Sequence, residues 1–304
     1  MARRRGRPIH GWLCLDKPPG MTSTEAVSQV RRVTGARKVG HGGTLDPLAT
    51  GVLPIAMGEA TKTVAYAMEG HKHYRFTARL GEARTTDDAE GALVATSGLR
   101  PTTAEIEAAL ARFVGSIEQI PPRFAAVKVE GERAYDLARR GEPVELAPRR
   151  VQVDRFELVE RSDPDHATFE LVCGRGTYVR ALVRDLGAHL GCLGHVVALR
   201  RLRVGPFRIE DAISLTALEQ LVADDALGQA LLPVDVALGE LPSLALTQPQ
   251  VDRLRAGQTI RVAPGLLVEE PEADATVCAM VAGRMVALAR LRGCELSPVR
   301  VFNL

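Results

Sequence analysis

The 304-residue chain is poor in aromatic residues (4%), and its formal net charge is only +2. No apolar run approaches the roughly 18 residues of a membrane span, so a membrane protein is not expected. The five cysteines (Cys14, Cys173, Cys192, Cys278, Cys294) are scattered and form no CxxC pair. That pattern excludes a zinc framework or a disulfide scaffold and reads as reduced cytoplasmic thiols. Neither GxGxxG nor GxxxxGK[ST] is present, so a nucleotide cofactor is not supported. HExxH and other clustered ligand motifs are missing as well. His71 and His73, which flank Lys72, read as polar residues of one strand face, and no metal is implied. The basic start, Met1 to Pro8, lacks the apolar stretch and small-residue cleavage site of a secretory signal and reads as a flexible basic arm. Internal repeats and low-complexity blocks are also missing. What remains, 46% hydrophobic and 25% charged residues, is ordinary globular composition.

The small net charge hides an asymmetry. Residues 1–209 hold 32 basic against 24 acidic residues, a net of +8, whereas residues 210–304 hold 7 arginines, no lysine and 13 acidic residues, a net of −6. A basic body points to a polyanionic partner. Within the acidic part, Arg253, Arg255 and Arg261 are the candidates for any such contact.

Periodicity and turn chemistry predict an α+β fold. Strands are expected at Gly11–Asp16, Gly51–Met57, Tyr74–Leu80, Val151–Val159, Thr168–Cys173 and His195–Val204. Helices are expected from Thr22 or Ser23 to Gly35, over Thr103–Val114, over Tyr178–Leu190 and in two or three pieces within Ser214–Leu232. The stretch from Gly40 to Gly51 reads as a tightly bent loop. Residues 121–150, rich in Pro and Arg with few large apolar side chains, are expected to project and meet a partner. A composition shift near Pro233–Pro242 divides a main domain, residues 9–240, from a small β-rich one, residues 241–304.

The loop His41-Gly-Gly-Thr-Leu-Asp46-Pro-Leu-Ala-Thr-Gly51 concentrates the chemistry. Asp-Pro is a common turn former. A carboxylate pinched between glycines is also well placed to meet a flat ligand, and the local sequence leaves both readings open.

Several segments resemble bacterial TruB-type tRNA pseudouridine synthases, in the same order: Lys17-Pro-Pro-Gly-Met-Thr-Ser23, Val39 to Gly51, Tyr74-Arg-Phe-Thr-Ala-Arg-Leu-Gly81, Gln119-Ile-Pro-Pro-Arg-Phe124, Val127 to Tyr135, Gly176-Thr-Tyr-Val-Arg-Ala-Leu182 and His195 to Leu202. The resemblance covers about residues 9–235. It implies a pseudouridine synthase fold, a mixed and largely antiparallel sheet flanked by helices and loops. Residues 241–304 more loosely resemble the family's small PUA-like domain. The implied activity is isomerisation of uridine 55 in the tRNA T-loop by base flipping, without a cofactor, with the T-arm and elbow as partner, no obligate protein partner and a monomeric enzyme.

Carried onto this sequence, the resemblance makes Asp46 the nucleophilic carboxylate, stacks Tyr74 on the target base, places Tyr178 by uracil C5 and pairs Arg180 with Asp46. His41 would fill the space left by the flipped uridine, and Gly42 and Leu199 would border the substrate. Lys128 and Arg133 would grip RNA, while Lys17 and Lys62 read as phosphate contacts or plain surface. A carboxylate suits the chemistry, being ionised near neutral pH and a competent nucleophile. Attack at C1′, attack at C6 and a glycal route all use it in nearly the same place. The chain departs from the family with Gly42 where Thr is frequent, Ala125 where Ser is frequent and Arg84 where Thr is frequent. The alternatives are a tRNA-folding chaperone with dispensable catalysis and a guide-dependent rRNA pseudouridine synthase.

Overall fold

Along the strand Lys72–Leu80 every second residue (Lys72, Tyr74, Phe76, Ala78, Leu80) is buried, and the residues between them reach solvent. In the computed structural model, which describes residues 6–125, 127–129, 131–133, 135, 137, 140–142, 145–263 and 274–304, this strand lies inside a nine-stranded sheet. The order is Gly11–Lys17, Thr50–Met57, Gly194–Val204, Lys72–Leu80, His166–Cys173, Arg149–Glu160, Gly115–Gln119, with Val39–His41 and Phe207–Arg208 appended. Gly194–Val204 runs parallel to Thr50–Met57, and the other pairings are antiparallel. Phe76, Phe156 and Phe169 fill its core with ring centroids 5.4–5.9 Å apart.

Helix Ser23–Thr34 begins at a capping box formed by Thr22 and Glu25 and ends at Gly35, which is left-handed at φ 67°. Thr22 takes the cap, which leaves Ser23 for another task. Helix Thr103–Leu110 is shorter than expected, because a 3-10 turn over Ala111–Phe113 finishes it. The loop expected at 40–51 also begins later, since Val39–His41 pairs with Thr50–Met57. Residues 6–8 do not all lie free, because the Arg7 amide donates to the Gly35 carbonyl (2.8 Å) and its own carbonyl accepts from Arg37 (3.0 Å). The rest of the expected basic arm, residues 1–5, lies outside the described residues.

A five-stranded sheet begins at Ser243 and has the order Ser243–Ala245, Ala275–Val281, Arg284–Arg292, Glu295–Val301, Ile260–Arg261. Its own core gathers Leu244, Val251, Leu254, Val277 and Leu296. Its other contacts join the body: Met285, Leu288 and Phe302 share one apolar cluster with Trp12, Phe207 and Leu238. Lys62 seals this junction by donating to Glu59 (2.6 Å) and to the Val301 carbonyl (2.7 Å). It thus helps join the two sheets and is more than plain surface. Among the described residues, no helix is long and apolar enough to cross a membrane.

Candidate active site

Three side chains shape the loop that presents Asp46. The Ser23 hydroxyl, freed from capping, accepts from the Leu45 amide (2.8 Å) and donates to the Leu45 carbonyl (3.1 Å). The Lys17 ammonium, fully buried, donates to the carbonyls of Pro18 (2.9 Å), Met21 (2.7 Å) and Pro47 (3.2 Å). The Arg201 guanidinium, also buried, donates to the carbonyls of Val52 (2.8 Å), Gly43 (2.9 Å) and Thr44 (3.3 Å). Gly51 closes the loop at φ 96°, and a Cβ there would collide with the Arg201 carbonyl oxygen, so only glycine fits.

Asp46 stands on this scaffold beside a cleft of about 360 Å³ lined by Tyr74, Tyr178, Arg180, Leu199, Lys72 and Arg201, among others. Such a volume falls within the range of small-molecule sites. Arg180, on the first turn of helix Val179–His189, grips both carboxylate oxygens: Nε to Oδ2 at 2.9 Å and Nη2 to Oδ1 at 3.0 Å. Its remaining donors go to the carbonyls of Thr86 (2.9 Å) and Phe124 (3.0 Å), with the Asp88 carboxylate at 3.5 Å. The Arg180 side chain is 5% exposed and that of Asp46 is 31% exposed, so the guanidinium is interior and the carboxylate faces the opening.

Burial is the largest influence on Asp46 and pushes its carboxyl above the ordinary carboxylate range; Arg180 opposes that rise and Asp88 adds to it. Burial likewise raises the Tyr74 and Tyr178 phenols, so both are neutral at physiological pH. Burial lowers Lys72, a cleft residue, to about 8.

Asp46, Tyr74, Tyr178, Arg180 and Leu199 are thus brought to one cleft, whereas Lys17, Gly42 and His41 are not among its lining residues. Lys17 is neither a phosphate contact nor surface, because its three carbonyl partners use all three ammonium donors and brace the loop from behind. Gly42 does not border the cleft either. It is buried against Trp12, Pro54 and Ala67, each 3.3 Å from where a Cβ would sit, and it donates to the Pro54 carbonyl. Of the adjacent pair, it is Gly43 that reaches the cleft. His41 ends the short strand opposite Ile55, half-buried and apart from the cleft lining. Lys128 and Arg133 pair across a two-stranded hairpin, Lys128–Val129 with Glu132–Arg133. Their side chains, and residues 126, 130, 134, 136, 138–139 and 143–144 of the basic segment, lie outside the described residues. His71 and His73 each meet a carboxylate, Asp154 at 2.6 Å and Glu170 at 3.2 Å.

Sequence reasoning missed three further residues. Gln119 clamps the backbone of Tyr178 from both sides: its Oε1 accepts from the Tyr178 amide (2.8 Å), and its Nε2 donates to the Tyr178 carbonyl (3.1 Å). Arg201 and Asp88 were the others. Gln119 and Arg201 stand inside segments already singled out, but nothing local separates them from their neighbours. Arg84, a departure from the family pattern, braces the 85–91 turn by donating to the Gly91 carbonyl (3.0 Å).

A family model described as the N-terminal domain of TruB family pseudouridylate synthases matches residues 31–179, and one for the C-terminal domain of tRNA pseudouridylate synthase B matches residues 180–239. The chain is 54% identical to a tRNA pseudouridine synthase B of Bradyrhizobium diazoefficiens, over 99% of this chain and 88% of that one. It is 53% identical to a protein of the same description from Caulobacter vibrioides, with both chains fully covered. Among solved structures it resembles a chain of a Cbf5-Nop10-Gar1 complex (TM-score 0.76, 27% identity, 97% of this chain and 85% of that one). A chain of an H/ACA RNP bound to a substrate RNA containing 2′-deoxyuridine is similarly close (TM-score 0.76, 25% identity, 100% and 92%). With consecutive family models over residues 31–239 and relatives above 50% identity along its whole length, the chain belongs to the TruB family of pseudouridylate synthases.

Proposed function

We propose that the protein isomerises uridine 55 of the tRNA T-loop to pseudouridine, with Asp46 as the reacting carboxylate and without a cofactor. The observation that carries this reading is the bidentate Arg180–Asp46 pair opening onto a cleft walled by Tyr74, Tyr178 and Leu199. The reaction is a pure isomerisation: the N1–C1′ bond breaks, a C5–C1′ bond forms, and a proton leaves C5 while one arrives at N1. It therefore needs an anion held against the nucleoside and a route for one proton. Asp46 supplies the anion. Tyr178, neutral at working pH, passes the proton by accepting at its oxygen while giving up its own. Tyr74 stacks on the base, and Leu199 completes the apolar wall. The base must leave the T-loop stack to reach this floor. Residues 121–150, including Lys128 and Arg133, supply backbone contacts to the RNA, and residues 9–240 carry the reaction.

A guide-directed rRNA enzyme is the weaker alternative. The solved structures at 25–27% identity are an H/ACA RNP and a complex with Nop10 and Gar1, whereas the relatives at 53–54% identity carry the tRNA description. Purified protein incubated with an unmodified tRNA transcript should place pseudouridine at position 55 alone, as read by chemical mapping. Product at another position, or none without a guide RNA, would overturn the assignment.

The Gln119 clamp makes a separate prediction. Gln119→Leu removes both Gln119 hydrogen bonds to the Tyr178 backbone, leaving its carbonyl only the Leu182 amide (3.1 Å) and its amide without this acceptor, and should slow single-turnover pseudouridine formation by about tenfold, the order of one or two lost buried hydrogen bonds. Affinity for tRNA should change little, because Gln119 itself is buried and does not line the cleft. A filter-binding titration beside the rate measurement separates the two effects.

A further inference from the structure

Helix Val179–His189 carries two arginines one turn apart, and both bridge the same pair of segments. Arg180 takes the Thr86 carbonyl and Asp88 from the 85–91 turn, and the Phe124 carbonyl from the start of the basic segment. Arg184, four residues on and so on the same helix face, takes the Asp87 carboxylate (3.3 Å) from the turn and the Ile120 carbonyl (2.8 Å) from the strand end that leads into the segment. A third donor, Nε, goes to Asp185 (2.8 Å) and fixes the side chain's direction. The turn is anchored on its other side by the Gly194–Val204 strand, where the Val196 amide donates to the Asp87 carbonyl (3.1 Å) and the Ala89 amide to the Val196 carbonyl (2.9 Å). Asp87 itself is left-handed at φ 59°, a conformation that Asp tolerates better than most residues.

We propose that Arg184 is a positioning residue for the reaction: by tying the Asp87 turn to the Ile120 carbonyl, it holds the two segments at the spacing at which Arg180 can reach both of them and Asp46 together. Arg184 does not line the cleft, so it acts through Arg180 and not on the substrate. An ordinary surface ion pair is worth little. This one differs because its partners lie 64 and 97 residues away in sequence, on the two segments that also meet at the guanidinium gripping Asp46. The role rests on the reading of Asp46 as the reacting carboxylate.

The test is a double-mutant cycle. Arg184→Gln should slow single-turnover pseudouridine formation about tenfold, the scale of one charge-assisted hydrogen bond, with tRNA affinity within about twofold. Arg184→Lys should recover part of the rate, since a point charge still reaches Asp87 but cannot span to Ile120 as well. Asp87→Asn should lose less, and the double change Arg184→Gln/Asp87→Asn should be no slower than Arg184→Gln alone. Unchanged rates, multiplying losses, or a fall in affinity alone would overturn the proposal.

A readout independent of turnover keeps the two ideas separable. In the free protein, carbon NMR of labelled Asp46 should show its carboxyl titrating at higher pH in Arg184→Gln, because a loosened Arg180 holds the carboxylate less firmly. Asp46 is otherwise influenced by Asp88, Glu90, Lys17, Tyr74 and Tyr178, and the substitution leaves all of these in place. If wild-type protein made no pseudouridine, the functional reading would fail while the titration still judged the strut; an unmoved titration would sink the strut alone.

Discussion

Asp46→Asn is expected to reduce pseudouridine formation by at least about 10⁴-fold while tRNA still binds, because an amide offers neither a nucleophile nor an anion to the ribose or the ring. The site should survive the change. The replacement is nearly isosteric, and Arg180 keeps the Thr86 and Phe124 carbonyls and Asp88 as partners, so its guanidinium is not left bare. The loop is likewise held by Lys17, Ser23 and Arg201, none of which bonds to the Asp46 side chain. Rapid-quench assays with saturating enzyme measure the rate, and a binding titration confirms that the loss is chemical. A residual rate within about tenfold of wild type would remove Asp46 from the reaction.

Arg180→Gln should have the next largest effect, a fall of about 10³-fold, the scale set by removal of a fixed electrostatic partner from a water-poor site. It should also move the pH dependence, and the sign follows from the pairing. In the proposed reaction the reacting form is the carboxylate, so activity should rise as pH passes upward through the Asp46 pKa. Burial already lifts that pKa above the ordinary range, and Arg180 is the principal group holding it down. Without the guanidinium the acidic limb must shift to higher pH, and raising the pH should recover part of the lost rate. A pH–rate profile under single-turnover conditions reads this directly. An acidic limb that stayed in place would mean that Arg180 serves folding and not the ionisation of Asp46. Some loss of thermal stability should accompany the change, since removing one partner of an interior ion pair costs about 3–5 kcal/mol.

Not everything in this site could be read along the chain. The alternation of Tyr74–Leu80 announced a half-exposed strand, and the structure keeps it, extended back to Lys72, with Tyr74 on the buried face. Thr22 or Ser23 announced a helix start, and the structure gives the cap to Thr22, which forms a capping box with Glu25 three residues on. Lys17 shows where such reasoning stops. A lysine before Pro-Pro-Gly looks like a solvated turn residue, yet this one is fully buried on three carbonyls, one of them 30 residues away. Gly42 misled for a related reason. Of two adjacent glycines, one packs against Trp12 and Ala67 while the other faces the cleft, and their order in sequence does not tell which. Gln119 is a further case, since its side chain bonds twice to the backbone of a residue 59 positions on.

The sequence by itself determined the strands and caps, the candidate carboxylate in its glycine-bounded loop, the family resemblance and the basic character of the first 209 residues. These are properties of short-range spacing and of composition, which survive in a one-dimensional reading. The tertiary structure alone decided which polar groups are interior supports and which face the cleft. It made Lys17, Arg201 and Gln119 supports, presented Asp46 and Tyr178, and turned Arg180 and Arg184 into paired struts between loops distant in the chain. The physical reason is that a buried donor must find acceptors wherever folding brings them, and here those acceptors are backbone carbonyls, which every residue carries and no sequence pattern marks.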